Sequence, residues 1–285
     1  MPQPCTLRLQ AADGTQLFVA DWPGERDECR RRGIVLMHGL GEHSERYAHV
    51  ARFFNQHGWS VRAYDHRGHG RSGGARGDTP DPEALLRDAK LVFDDFARGF
   101  PGPPLLLGHS MGGLFAARFA VGALSPLGGL ILSSPALALP LSGSQKLLLK
   151  ALGAAAPGLA VPNGLQTRYL SHDPAVEAAY IKDPLVHPKI TARLLRAMLS
   201  AIDTCQARAG ELAVPVLMAV AGNDRLVDAA GSDTFFSRLA PGIGTLHRYP
   251  DYYHELFNEV GAARVFDDVR DWLDARSRPS ADLQQ

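Results

Sequence analysis

Short apolar runs separated by amphipathic stretches recur along most of this chain. Thr6–Gln10 and Gln16–Ala20 flank a turn at Asp13-Gly14 and predict an antiparallel hairpin. Gly33–Met37 is an uninterrupted apolar run, of the kind that fills a parallel strand buried on both faces. A regular alternation follows: helix over Arg46–His57, strand over Trp59–Tyr64, helix over Pro82–Arg98, strand over Leu105–Leu107, helix over Gly113–Gly122 and strand over Leu130–Leu132. Pro82 falls near the first turn of its helix, where a missing N–H costs nothing. From Pro135 to about Gln206 the alternation stops, and an Ala-, Leu-, Gly- and Pro-rich stretch reads as helical with no clear strand. It resumes with a strand over Val214–Ala221, a helix over Ala229–Leu239, a strand over Thr245–Tyr249 and a helix over Leu256–Ala275.

Strands alternating with helices predict an α/β fold, a mostly parallel central sheet covered on both faces. The interruption predicts an inserted helical cap over the carboxyl ends of the strands, where such sheets bind ligands. The expected division is a core over 1–135 and 207–276, a cap over 136–206, and a polar, disordered tail over 277–285. Lys plus Arg and Asp plus Glu balance at 30 each, so the chain lacks the basic excess that drives nucleic-acid binding. The three cysteines, Cys5, Cys29 and Cys205, have neither disulfide-framework nor metal-site spacing. No signal peptide and no apolar stretch of membrane-spanning length is apparent, which gives a cytoplasmic expectation.

Gly108-His109-Ser110-Met111-Gly112 fits G-x-S-x-G between an apolar strand and a helix, the context that motif requires. A serine on such a sharp turn projects its hydroxyl out of the sheet, and glycines on either side make room for the turn. The same turn aims the Met111 N–H at a developing oxyanion. A serine hydroxyl needs a base, and in this fold the chain order is serine, acid, histidine. Asp224 ends the Ala219–Asp224 run as it leaves a strand, on the rim expected for Ser110; Asp228 is the alternative acid and the better helix cap. Of eleven histidines, His254 alone falls between the last strand and the last helix, where the order demands a base. The second oxyanion donor is expected at the Leu40 N–H, in the loop His38-Gly39-Leu40-Gly41-Glu42-His43 after the Gly33–Met37 strand. His38 reads as structural, and Glu42 and His43 as polar supports of that loop.

His38–His43 followed by Arg46-Tyr47, then Tyr64–Ser72, then Gly108–Gly113, resemble the monoacylglycerol lipase and lysophospholipase-like family of α/β-hydrolases. Asp183–Val186 and Asp224–Val227 fit the same pattern, and the resemblance covers roughly residues 6 to 274. It implies an α/β-hydrolase fold, with no metal or organic cofactor, that hydrolyses a fatty-acid glycerol ester. Carried over by position, it implies Ser110 as nucleophile, Asp224 as acid, His254 as base, and Leu40 and Met111 as oxyanion donors. Arg67, in the second motif, is expected to pair with a carboxylate. Many relatives carry Gly where this chain has Asp251, a carboxylate that could perturb His254.

In the cap, Leu137, Leu139, Leu141, Leu147, Leu148, Leu149, Leu152, Leu159 and Val161 form an apolar-rich segment. Most are expected to pack on the core; others could line an acyl tunnel or touch a lipid surface. Cys205 reads as a buried thiol. A carboxylesterase, a lysophospholipase and a thioesterase are rival readings on the same three residues, and neither oligomeric state nor acyl-chain preference is legible.

Overall fold

The computed structural model describes residues 4–24 and 31–277. Cys29 and the expected tail beyond 277 lie outside the described residues. The chain opens with β1 (Cys5–Gln10) and β2 (Gln16–Trp22), then β3 (Gly33–Met37), α1 (Ala48–Gln56), β4 (Ser60–Tyr64), α2 (Ala84–Ala97), β5 (Leu105–His109), α3 (Met111–Val121) and β6 (Gly129–Ser133). Next come α4 (Gly143–Ala155), β7 (Ala160–Pro162), α5 (Pro174–Lys182), β8 (Lys189–Thr191) and α6 (Ala192–Arg208). The chain closes with β9 (Val216–Ala221), α7 (Ala229–Ser237), β10 (Gly244–Tyr249) and α8 (Ala263–Ser277).

Eight strands form one sheet in the order β1-β2-β4-β3-β5-β6-β9-β10. β1 and β2 form the predicted antiparallel hairpin, and β2 joins β4 antiparallel. Every later neighbour in this sheet is parallel. The fully buried strands β3, β5, β6 and β9 are the uninterrupted apolar runs. Helices cover both faces, so two apolar clusters form, one on each side of the sheet. The strand order places β4 on one side of β3 and β5 on the other. At such a reversal the loops leaving two adjacent strands diverge and open a crevice at their carboxyl ends. Here those loops begin at His38 and Ser110.

Between β6 and β9 the structure departs from the purely helical expectation. β7 and β8 pair antiparallel, Ala160 opposite Thr191 and Pro162 opposite Lys189. Each is three residues long, too short for a period-two signal, and their pairing closes across α5. Side chains begin the helices at α5, where Asp173 accepts from the Ala175 N–H ahead of Pro174, and at α6, where Thr191 accepts from the Leu194 N–H. α6 packs along α3 and buries Ala201 and Cys205 there. Asp78 ties this region to the core, accepting from Thr191 Oγ1 at 2.6 Å and pairing with Arg193. The last expected helix is also divided: a 3-10 turn at Leu256–Asn258 precedes Gly261, whose φ of +87° stops helix propagation before α8. Among the described residues no helix is long and apolar enough to cross a membrane.

Candidate active site

Ser110 stands between β5 and α3 with φ 53° and ψ −120°, a conformation that L residues avoid unless their surroundings impose it. Three backbone hydrogen bonds impose it. The Ser110 N–H donates to the Ser133 carbonyl at 3.0 Å, and the Ser110 carbonyl accepts from Leu114 and Ala136, each at 3.0 Å. The glycines are required by contact: a Cβ at Gly112 would collide with the Met37 carbonyl oxygen, and one at Gly108 with the backbone of Gly112. Helix α3 starts at the next residue, so the Met111 N–H is one of the unsatisfied first-turn donors.

The loop after β3 approaches from the neighbouring strand. Gly41 has φ +80°, and its carbonyl accepts from the His187 N–H at 2.9 Å. Glu42 turns inward: its Oε1 accepts from the Gly39 N–H and from the Tyr47 hydroxyl, both at 2.6 Å, and its Oε2 pairs with Arg46. His38 is buried and structural, its Nδ1 donating to the Gly39 carbonyl at 2.8 Å and its Nε2 accepting from the His66 N–H at 2.9 Å. His43 pairs with Asp183 at 2.8 Å. Neither the Leu40 nor the Met111 N–H is taken by another group among the described residues, and both residues line one pocket with Ser110 and His254.

His254 Nδ1 lies 2.7 Å from Asp224 Oδ2, and both side chains are almost fully buried. An Nδ1–H donated to the carboxylate leaves Nε2 as the free acceptor. The other Asp224 oxygen accepts from the Leu226 and Val227 N–H groups at 2.8 and 3.1 Å. Burial would raise the Asp224 pKa, but the His254 ring and these N–H groups outweigh it and hold the carboxyl below its usual range. Burial likewise opposes charge on His254, yet Asp224, then Glu255 and Glu42, lift its pKa above the ordinary histidine value. His109 packs on His254 with ring centroids 4.7 Å apart, and burial and that neighbour push its pKa down to about 4.

The structure thus pairs His254 with Asp224 and brings both to the rim that carries Ser110. It forms no Ser110–His254 hydrogen bond among the described residues, although both line the pocket. Asp228 is occupied elsewhere, accepting from the Ala230 N–H at 3.0 Å as the cap of α7. Asp251 is exposed and is not among the carboxylates that move His254. Arg67 pairs with Asp88 and Asp13. Cys205 is an inert thiol, fully buried and pushed up to about 12. Glu255 escaped sequence reasoning, because an acidic residue beside a helix start carries no signal of its own; its carboxylate is clamped by Arg46.

A second cavity of about 310 Å³ adjoins this pocket. Leu40, Leu139, Leu165, Met198 and Leu226 line both. Of the nine apolar residues singled out in the 137–161 segment, Leu139, Leu141, Leu148, Leu149, Leu152 and Val161 line the cavity. Leu137 alone is fully buried in the core, while Leu147 and Leu159 are exposed. Leu139 and Val161 also pack against the core, so three of the nine rather than most of them do so, and the expectation is corrected to that extent.

The family described as Hydrolase_4, serine aminopeptidase S33, matches residues 28–261. A monoacylglycerol lipase of Mycolicibacterium smegmatis is 39% identical over 266 residues, covering 91% of this chain and 93% of that protein. The phospholipase YtpA of Bacillus subtilis is 33% identical over 85% of this chain and 94% of its own. Among solved structures, the monoacylglycerol lipase of Paleococcus ferrophilus superposes with a TM-score of 0.83 at 32% identity, over 92% of this chain and 99% of that one.

Proposed function

From the premise that this chain belongs to the serine aminopeptidase S33 family, in its monoacylglycerol lipase-like branch, and is a carboxylic ester hydrolase, we propose that it cleaves monoacylglycerol to glycerol and free fatty acid through Ser110, His254 and Asp224. The observation that carries this reading is the shared wall between the Ser110 pocket and the apolar cavity. An ester carbonyl placed at Ser110 sends its acyl chain along that wall, among Leu139, Met198 and Leu226, while its alcohol faces the polar end of the pocket at Glu42 and His109.

Ser110 Oγ attacks the carbonyl carbon as His254 Nε2 takes its proton. The carbonyl π pair moves onto oxygen, where the Leu40 and Met111 N–H groups receive it. Collapse expels the alcohol, protonated by His254, and leaves an acyl-serine. Water then repeats the sequence with His254 again as base, releasing the acid and restoring Ser110. Asp224 fixes the His254 tautomer and stabilises the imidazolium; each oxyanion donor is worth about 3–4 kcal/mol in the transition state. The cap over 136–206 selects the acyl chain, and the exposed Leu147, Leu148 and Leu159 supply a contact for a lipid surface.

A second reading, a lysophospholipase on the same residues, is favoured by one feature: Arg225 is among the residues at the cavity beside Leu226 and offers a cation for a phosphate. Reaction with a fluorophosphonate followed by peptide mass mapping tests the mechanism. A label on the Ser110 peptide, slowed by an excess of monoacylglycerol present during the reaction, is expected. A label on another residue, or loss of hydrolysis without modification of Ser110, removes Ser110 as nucleophile.

A further inference from the structure

Two loops carry the chemistry just described, and one side chain joins them. Glu255 follows His254 directly, and its carboxylate is buried and lines the same pocket. Arg46 grips it with both arms, Nη1 to Oε1 at 2.7 Å and Nη2 to Oε2 at 2.8 Å. The same Arg46 Nη1 reaches Glu42. Glu42 in turn holds the Gly39 N–H, one residue before the proposed oxyanion donor Leu40. An unbroken polar path therefore runs from the oxyanion loop through Glu42, Arg46 and Glu255 to the base. The Tyr180 ring covers the guanidinium at 4.8 Å, and Asn258 Nδ2 donates to the same Glu255 Oε2 at 2.8 Å.

The charges do not cancel. Two buried carboxylates share one guanidinium, which leaves one net negative charge in the pocket wall. Buried ionic groups are a poor way to stabilise a fold, since apolar replacements of similar shape often serve as well or better. A surplus negative charge has a use where a positive charge must appear, and His254 becomes an imidazolium each time Ser110 attacks.

We propose that Glu255, clamped by Arg46, is a positioning residue for the hydrolysis: it locks the His254 loop to the oxyanion loop and supplies the negative charge that favours the imidazolium. The inference rests on the reading of His254 as base. The groups acting on His254 are Asp224, Glu255 and Glu42 with negative charge and the neutral His109 ring packed on it, while the positive Arg46 is paired with the two glutamates. Arg46 is committed to both carboxylates, so taking charge from either one shifts the balance at His254 towards the neutral ring.

The test is the pH dependence of kcat/KM for Glu255→Gln, with thermal unfolding as a check on folding. The acid limb reports the base of the free enzyme, which must be neutral to act. Without the Glu255 charge, the limb should move to lower pH by about one unit, with KM nearly unchanged and the plateau kcat down about tenfold. Glu255→Asp keeps the charge and should leave the limb in place. Glu42→Gln removes the same charge from the other end of the path and should move the limb the same way, which keeps the test open if Glu255→Gln does not fold. A limb that stays put in a folded Glu255→Gln, or moves equally in Glu255→Asp, overturns the proposal, because a purely structural role lowers activity at every pH without moving it. Ser110→Ala and His254→Ala run alongside: if either keeps full activity, the reading of the base fails; if both are inactive and the limb is fixed, only the role of Glu255 fails.

Discussion

The rim of the sheet and the segment that roofs it are built on opposite principles. At the rim, Ser110 is pinned by three backbone hydrogen bonds, Asp224 accepts from His254 and two N–H groups, and Glu42 fills its acceptor sites with Gly39, Tyr47 and Arg46. In the roof, α4 and its flanks present leucines that are half-buried or exposed around a space of about 310 Å³. Directional bonds fix atoms to the tolerance that proton transfer needs. Apolar contacts are non-directional and fix only a volume. The rim is thus suited to one reaction, and the roof to a range of chain shapes.

Breaking the rim should have the larger consequences. Ser110→Ala should lower kcat by about 10⁶-fold while the thermal midpoint stays near that of the parent, measured by steady-state hydrolysis and calorimetry. Asp224→Asn keeps the shape but permits the wrong His254 tautomer, and should reduce kcat by about 10⁴-fold. The roof should respond with selectivity instead. Leu152→Trp, filling the cavity, should cut kcat/KM for a long-chain monoacylglycerol by about 10–100-fold and leave a butyrate ester nearly unaffected. Equal losses on both esters would show that the cavity does not hold the acyl chain.

Smaller effects sharpen the rim further. His38, His66 and His69 are buried and held neutral, with pKa values pushed well below normal chiefly by burial. In the unfolded chain they titrate near about 6.5, so the unfolded state binds more protons below that pH. Their contribution to stability is complete above about pH 6.5 and should be lost as pH falls through the lowered folded-state values, a trend that urea titrations between about pH 7 and 5 would reveal. Asp251→Gly should change kcat/KM by less than about twofold, because Asp251 is exposed and apart from the charges acting on His254.

What the sequence made legible follows the same division. The strands β3, β5, β6 and β9 are uninterrupted apolar runs and appear where those runs predict them. Ser110, Asp224 and His254 stand out because the motif and the chain order restrict each to a single loop, and the structure pairs two of them and seats all three on one rim. Glu255 and His109 carry no local signal, since their partners, Arg46, Tyr180 and His254 among them, come from segments far apart in the chain. β7 and β8 were missed because three-residue strands pair only through tertiary closure. The cavity was misjudged because a leucine facing empty space and a leucine facing the core look alike in sequence.

A fixed rim beneath an apolar roof should favour long-chain glycerol esters. The decisive comparison is kcat/KM, side by side, for a long-chain monoacylglycerol, the matching lysophosphatidylcholine and a short-chain ester, with Ser110→Ala as the blank. The monoacylglycerol should lead clearly, and its lead should vanish in Ser110→Ala. Equal or better turnover of the lysophospholipid or the short ester would contradict the substrate assignment, and hydrolysis that survives in Ser110→Ala would contradict the mechanism.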